Sequence, residues 1–182
     1  MRSAIGALLL LLGVCGATPA PSGTISIEPF FGEFRGKTIS EDDGETTTRD
    51  LGVSIEPDGE YFKITWSTAT RRDDGELRHK SYSISFASTR RPDVYRSAMR
   101  TDMFGNRVPM DPLSGDPFVW CRIAGRTLTV YALLINDDGR YDLQIYDRTL
   151  VDKGLDLKFT RLREGHPPKV LTAFLERVAA RR

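Results

Sequence analysis

Few side chains in this sequence are spaced to do chemistry on a substrate. His79 and His166 are the only histidines and lie far apart, with no cysteine or carboxylate cluster at ligand spacing, so no metal site is expected. The acidic turns around Asp42, Asp73 and Asp137 lack the alternating oxygen ligands of a calcium loop. Ser114 in PLSGDP has no strand-turn-helix context to expose a nucleophile, and no glycine-rich phosphate loop is present. With no set of nucleophile, base and metal, the reading leans away from an enzyme and names no catalytic residue and no cofactor.

What remains is charge in apolar phase. In RYDLQIYDRTL, residues 140–150, Tyr141, Leu143 and Ile145 alternate with Asp142, Gln144 and Tyr146, which assigns the first three to a buried face. The same phase carries Asp147 and Thr149 onto that face. The face of Leu51, Val53 and Ile55 likewise extends back to Arg49, and that of Leu155, Leu157 and Phe159 forward to Arg161. Asp147 has three readings: a solvated rim residue, an ion pair with Arg49, Arg122 or Arg148, or a ligand contact inside a pocket mouth. Cys121 alternates with Val119 and Ile123 and reads as a buried small hydrophobe.

The elements that must position these residues are strands. Asp-Gly pairs at Asp43-Gly44, Asp58-Gly59, Asp74-Gly75 and Asp138-Gly139 favour tight hairpins, and the first three imply long strands joined as a meander. Between them lie one-sided alternations: Phe62, Ile64 and Trp66 in one strand, Tyr82, Ile84 and Phe86 in the next. A short strand near Val94 precedes an irregular stretch at 99–117, a length that usually signals function. Further strands are expected at 118–123, 127–135, 140–150 and 155–159, with a first one at 34–40, about nine in all. Leu171, Phe174, Leu175 and Val178 follow helical spacing after Pro167-Pro168, and Arg177, Arg181 and Arg182 suit a helix C-terminus, so the spacing predicts a helix over about 168–181.

Long strands joined by tight turns favour an all-β fold, an antiparallel up-and-down barrel of about 8–9 strands with one C-terminal helix; a β-sandwich is the alternative. The segment FFGEFRG, residues 30–36, resembles the opening of lipocalin-like (calycin) barrels, with Gly32 at the Gly of their Gly-x-Trp signature and Phe34 at the Trp. The resemblance implies a later Arg packed over that aromatic, for which Arg161 is the matching residue. A barrel of eight strands has room inside for side chains or for one small ligand.

Residues 1–17 carry Arg2, an apolar run over 4–14 and small residues after it, the layout of a secretory signal peptide that leaves 18–182 as one domain. The expected location is periplasmic or secreted, with lipid anchoring through Cys15 as the alternative. The run is too short to span a bilayer, so no transmembrane segment is expected. Loss of the leader leaves Cys121 as the single cysteine, and 25 basic against 25 acidic residues, which gives no reason to expect nucleic acid as a partner. The expected function is binding or carrying a small apolar or amphipathic molecule. Its site would comprise Phe62, Ile64, Trp66, Tyr82, Ile84 and Phe86, with Arg49 and Asp147, and the 99–117 loop over one end. The alternative is an envelope structural or interaction domain with a filled barrel and no ligand, its protein partner unspecified, favoured by any apolar patch around Met103, Phe104 and Met110.

Overall fold

Alternating residues and tight turns build a wall of strands in the structure, a computed structural model that describes residues 26–42, 45–71, 77–101, 104 and 106–178. The leader expected at 1–17, Cys15, the Asp43-Gly44 and Asp74-Gly75 turns and Met103 lie outside these residues. In chain order the strands are β1 (Gly32–Asp42), β2 (Glu45–Asp58), β3 (Tyr61–Arg71), β4 (Leu77–Ser88), β5 (Val94–Ser97), β6 (Arg100–Thr101), β7 (Arg107–Val108), β8 (Phe118–Ala124), β9 (Thr127–Ile135), β10 (Tyr141–Val151), β11 (Gly154–Arg163) and β12 (Lys169–Val178). β6 and β7 pair only with each other, inside the long connection between β5 and β8. The other ten strands close into one antiparallel barrel in the order β1-β12-β11-β10-β9-β8-β5-β4-β3-β2, so each pairs with the next barrel strand along the chain and β12 returns to β1. The two described Asp-Gly turns place Gly59 at φ 62° and Gly139 at φ 81°, the left-handed backbone that tight hairpins need.

The last segment corrects the sequence reading: residues 169–178 form β12, the tenth barrel strand, where a helix was expected over 168–181. Leu171, Ala173 and Leu175 turn inward while Val170, Thr172, Phe174 and Glu176 are exposed, a period of two. Apolar residues at 171, 174, 175 and 178 fit a helix as well. Closure decides between them, because a helix would leave the edges of β1 and β11 unpaired, whereas β12 pairs with both. Two glycines allow the fit. A Cβ on Gly36 would lie 2.2 Å from the carbonyl oxygen of Phe174, and one on Gly154 would lie 1.9 Å from that of Leu175.

One barrel end is plugged and packed. The 3₁₀ turn Glu28–Phe30 precedes β1 and buries Phe30 completely. Arg177 of β12 covers the Phe34 ring with its guanidinium carbon 4.5 Å from the ring centroid, and donates to the carbonyl oxygens of Pro29, at 2.8 Å, and Phe31. The covering arginine is therefore Arg177 and not Arg161; the added strand moves that position from β11 to β12. Inward side chains of every long strand fill this half, among them Ile55, Ile64, Phe86, Leu128, Leu155 and Leu175, all fully buried, and Phe62 stacks on Phe86 at 5.4 Å.

Candidate functional site

β10 points its faces the opposite way from the expected assignment. Asp142 and Arg148 are buried, Tyr146 and Leu150 pack against the core, and Tyr141 is 42% exposed, so Asp142, Gln144, Tyr146, Arg148 and Leu150 face the interior. Tyr141, Leu143 and Ile145 face outward. They are apolar because their outer neighbours are apolar: register aligns Ile145 with Tyr131 and Trp120, which stack at 4.8 Å, and Leu143 with Leu133 and Phe118. A barrel whose wall carries apolar rows outside and polar groups inside reverses the ordinary meaning of alternation on that strand.

The inner polar groups of β10 run from the unplugged end inward. Near that end Asp142 accepts from Arg161 Nε at 3.0 and 2.9 Å and from its Nη2, a bidentate pair that holds the Arg161 guanidinium above its ordinary value. Next, Tyr146 donates from its hydroxyl to Gln144 Oε1 at 2.8 Å, and burial holds its phenol above the usual range. Deepest lies Arg148, 1% exposed, between Leu128 and Leu157 in register. Its Nε and Nη1 are buried and have no hydrogen-bond partner among the described residues. Trp66 and Tyr146 face the guanidinium, its carbon 5.9 and 5.4 Å from their ring centroids. Burial draws the Arg148 guanidinium below its ordinary value, to about 10, so it remains charged at neutral pH.

Above this guanidinium the barrel is not filled. A cavity of about 440 Å³ lies between β1–β4 and β10–β12 at the unplugged end. Its apolar lining includes Leu51, Leu157, Leu171 and an aromatic series in which Tyr82 contacts Trp66 at 6.0 Å, Trp66 contacts Tyr146 at 5.7 Å, and Tyr146 contacts Phe159 at 4.9 Å. Among the described residues its charged lining consists of Arg49, Arg78, Lys80 and Arg148, with no acidic residue. Arg78 and Lys80, at the start of β4, stand exposed at the mouth.

The structure divides the residues expected to bind a ligand. Arg49, Trp66 and Tyr82 line the cavity, as their alternation implied. Phe62, Ile64 and Phe86 lie on the same inward faces but deeper, in the packed half, and Ile84 packs against that core. Asp147 faces outward, away from the cavity, and accepts from Thr129 Oγ1 at 2.7 Å. It makes no ion pair within 4 Å among the described residues, and lines an external groove that also contains Thr149, Asp156 and Lys158. Cys121 is buried as expected; burial pushes its thiol up, outweighing the opposing charge of Arg148. Sequence reading missed Tyr146 and Phe159 as lining residues and considered Arg148 only as a partner for Asp147. The signal was available in the short turn after β10, which pairs Leu150 with Leu155 and Arg148 with Leu157. Opposed residues of antiparallel strands share a face, so an inward Leu157 requires an inward Arg148.

No group of three or more His, Cys, Asp and Glu side chains that could hold a metal occurs among the described residues. Comparison of the sequence with protein-family models and with curated proteins finds no match to either.

Proposed function

We propose that this protein is an exported, lipocalin-like barrel that binds one small amphipathic molecule in its half-filled interior. The observation that carries the reading is the cavity of about 440 Å³ above a packed floor. That volume falls within the range of roughly 300–1,000 Å³ usual for small-molecule sites, and the mixture of aromatic walls with a few placed polar groups is their usual lining. Gly32-x-Phe34 under Arg177, beside a plugged barrel end, supports the lipocalin-like assignment. The outer positions of β1 and β2 include Glu33, Arg35, Lys37, Asp50 and Glu56, all exposed, so the apolar outer rows of β8–β10 do not continue round the barrel as the band of a lipid-facing wall would. No helix among the described residues is long and apolar enough to cross a membrane.

Native mass spectrometry of the protein purified gently from an exporting host tests this reading. A co-purifying small molecule, displaced by 1-anilinonaphthalene-8-sulfonate and lost on replacing Trp66 and Tyr82 with polar residues, is the expected result. A barrel that is always empty and takes up no amphipathic probe at millimolar concentration would overturn it. A second reading, a surface for a protein partner, is favoured by the 99–117 connection, in which Phe104 is 81% and Leu113 84% exposed. Met110 in the same connection is half-buried.

A further inference from the structure

Among the described residues the buried guanidinium of Arg148 makes no ion pair, and its Nε and Nη1 have no hydrogen-bond partner. The polar groups of β10 beside it are engaged elsewhere or turned away. Asp142, on the same inward face of β10, is held bidentate by Arg161. Asp147, its neighbour in sequence, points to the outer surface and is engaged by Thr129. Gln144 receives the Tyr146 hydroxyl. The remaining surroundings are aromatic or aliphatic: Trp66, Tyr146, Leu128 and Leu157. A charged group with buried, unsatisfied donors is among the least favourable things a protein interior can hold, and deletion of the charge is usually tolerated better than its retention without a partner.

The rest of the cavity has the same sign. Among the described residues four basic side chains and no acidic one line it, although basic and acidic residues are nearly balanced over the whole chain, 26 against 25. A low-dielectric cleft lined by charge of one sign concentrates the opposite sign inside it. Arg78 and Lys80 at the mouth would draw an anion in, and Arg148 at the floor would hold it.

We infer that the ligand is an amphipathic monoanion of the carboxylate class, which enters head first, pairs its carboxylate with Arg148 and lays its apolar body along Tyr82, Trp66, Tyr146 and Phe159. This rests on the reading of the cavity as a ligand site. A single negative charge fits because one guanidinium is buried; a dianionic phosphate at the same depth would leave uncompensated charge among apolar side chains. A planar carboxylate also matches the planar donor fork of arginine.

The test is isothermal titration of the purified protein with decanoate, decanol and decyl phosphate, for the wild type and for Arg148→Met and Arg148→Lys. Decanoate is expected to bind the wild type about 30-fold more tightly than decanol, the span of a charge-assisted hydrogen-bonded pair. Arg148→Met is expected to remove that advantage, so that decanoate and decanol bind alike, and Arg148→Lys to retain only part of it. Equal affinity for decanoate and decanol in the wild type would overturn the head-group assignment and leave the cavity reading standing. Binding of none of the three would overturn the cavity reading itself, and the assignment with it. Tighter binding of decyl phosphate than decanoate would refute the single-charge match. If the Met variant does not fold, the wild-type comparison and the Lys variant still decide the outcome.

Discussion

Replacing Arg148 with Met should make the empty barrel more stable. Burial lowers the arginine from its ordinary value to about 10. At about 1.4 kcal/mol for each tenfold change in proton affinity, that corresponds to a penalty of about 3 kcal/mol for holding the charge in the folded state. The variant also gives up the guanidinium contacts with Trp66 and Tyr146, worth about 1 kcal/mol at a desolvated site. Methionine is unbranched and flexible enough to occupy the same path between Leu128 and Leu157 without a cavity. The net gain is about 2 kcal/mol, which for a domain of this size raises the melting temperature by roughly 4–8 °C. Differential scanning calorimetry of both proteins across pH is the assay. Because the folded value lies below the unfolded one, the penalty is complete at every pH under about 10 and is relieved as pH rises from there towards the ordinary guanidinium value. The difference between variant and wild type should therefore be constant between about pH 6 and 9 and narrow above about pH 10. A lower melting temperature for the variant at neutral pH would refute the reasoning, since it would mean that the guanidinium is satisfied in the folded protein.

Other substitutions separate the structural from the functional residues. Arg177→Met removes two donations to the carbonyls of Pro29 and Phe31, and should lower stability by about 2 kcal/mol in urea unfolding while decanoate affinity changes less than about threefold. Gly154→Ala forces a Cβ to within 1.9 Å of the Leu175 carbonyl oxygen, so it should abolish soluble expression or cost more than about 3 kcal/mol. Gly139→Ala, with open space and only its φ of 81° to offend, should cost about 1 kcal/mol in the same measurement. Asp147→Ala removes one hydrogen bond from Thr129 and should cost about 1 kcal/mol by thermal unfolding; probe affinity in the cavity should stay within twofold.

The barrel was legible in the sequence where turn chemistry and alternation agreed. β1 to β4 follow from Asp-Gly turns between one-sided strands, and the inward phase of Arg49, Trp66 and Tyr82 follows with them. The sequence misled in two places, each for a stated reason. At β12, residues 169–178 satisfy a helical and a strand pattern at once, and only the need to pair both β1 and β11 selects the strand; that constraint becomes visible when the whole barrel is counted. At β10, the apolar set lies outside because the neighbouring outer rows of β8 and β9 are aromatic and aliphatic, while the inner set is polar because it lines a cavity. Alternation identifies two faces but assigns neither to the core. Register to a strand of known phase assigns it, and here the β10–β11 turn supplies that register.

Two arginines of this barrel show why the interior reads as a site rather than as a packing compromise. Both lie near aromatic rings. Arg177 covers Phe34 at the plugged end, partly exposed to water and with carbonyl acceptors for its donors, so its charge stays solvated while its plane packs. Arg148 faces Trp66 and Tyr146 at 5.9 and 5.4 Å, is shielded from water, and lacks acceptors on two of its nitrogens among the described residues. Had the fold required only a cation against an aromatic face, the Arg177 arrangement would supply it at lower free energy. The stability of the empty barrel must then come from the plugged half, where Phe30, Phe34, Phe86 and Leu175 are fully buried, and that surplus is what permits an unsatisfied charge under an open cavity. An anion arriving at Arg148 would convert the least favourable contact of the interior into one of its strongest, so affinity and selectivity for negative charge would come from the same unpaired group.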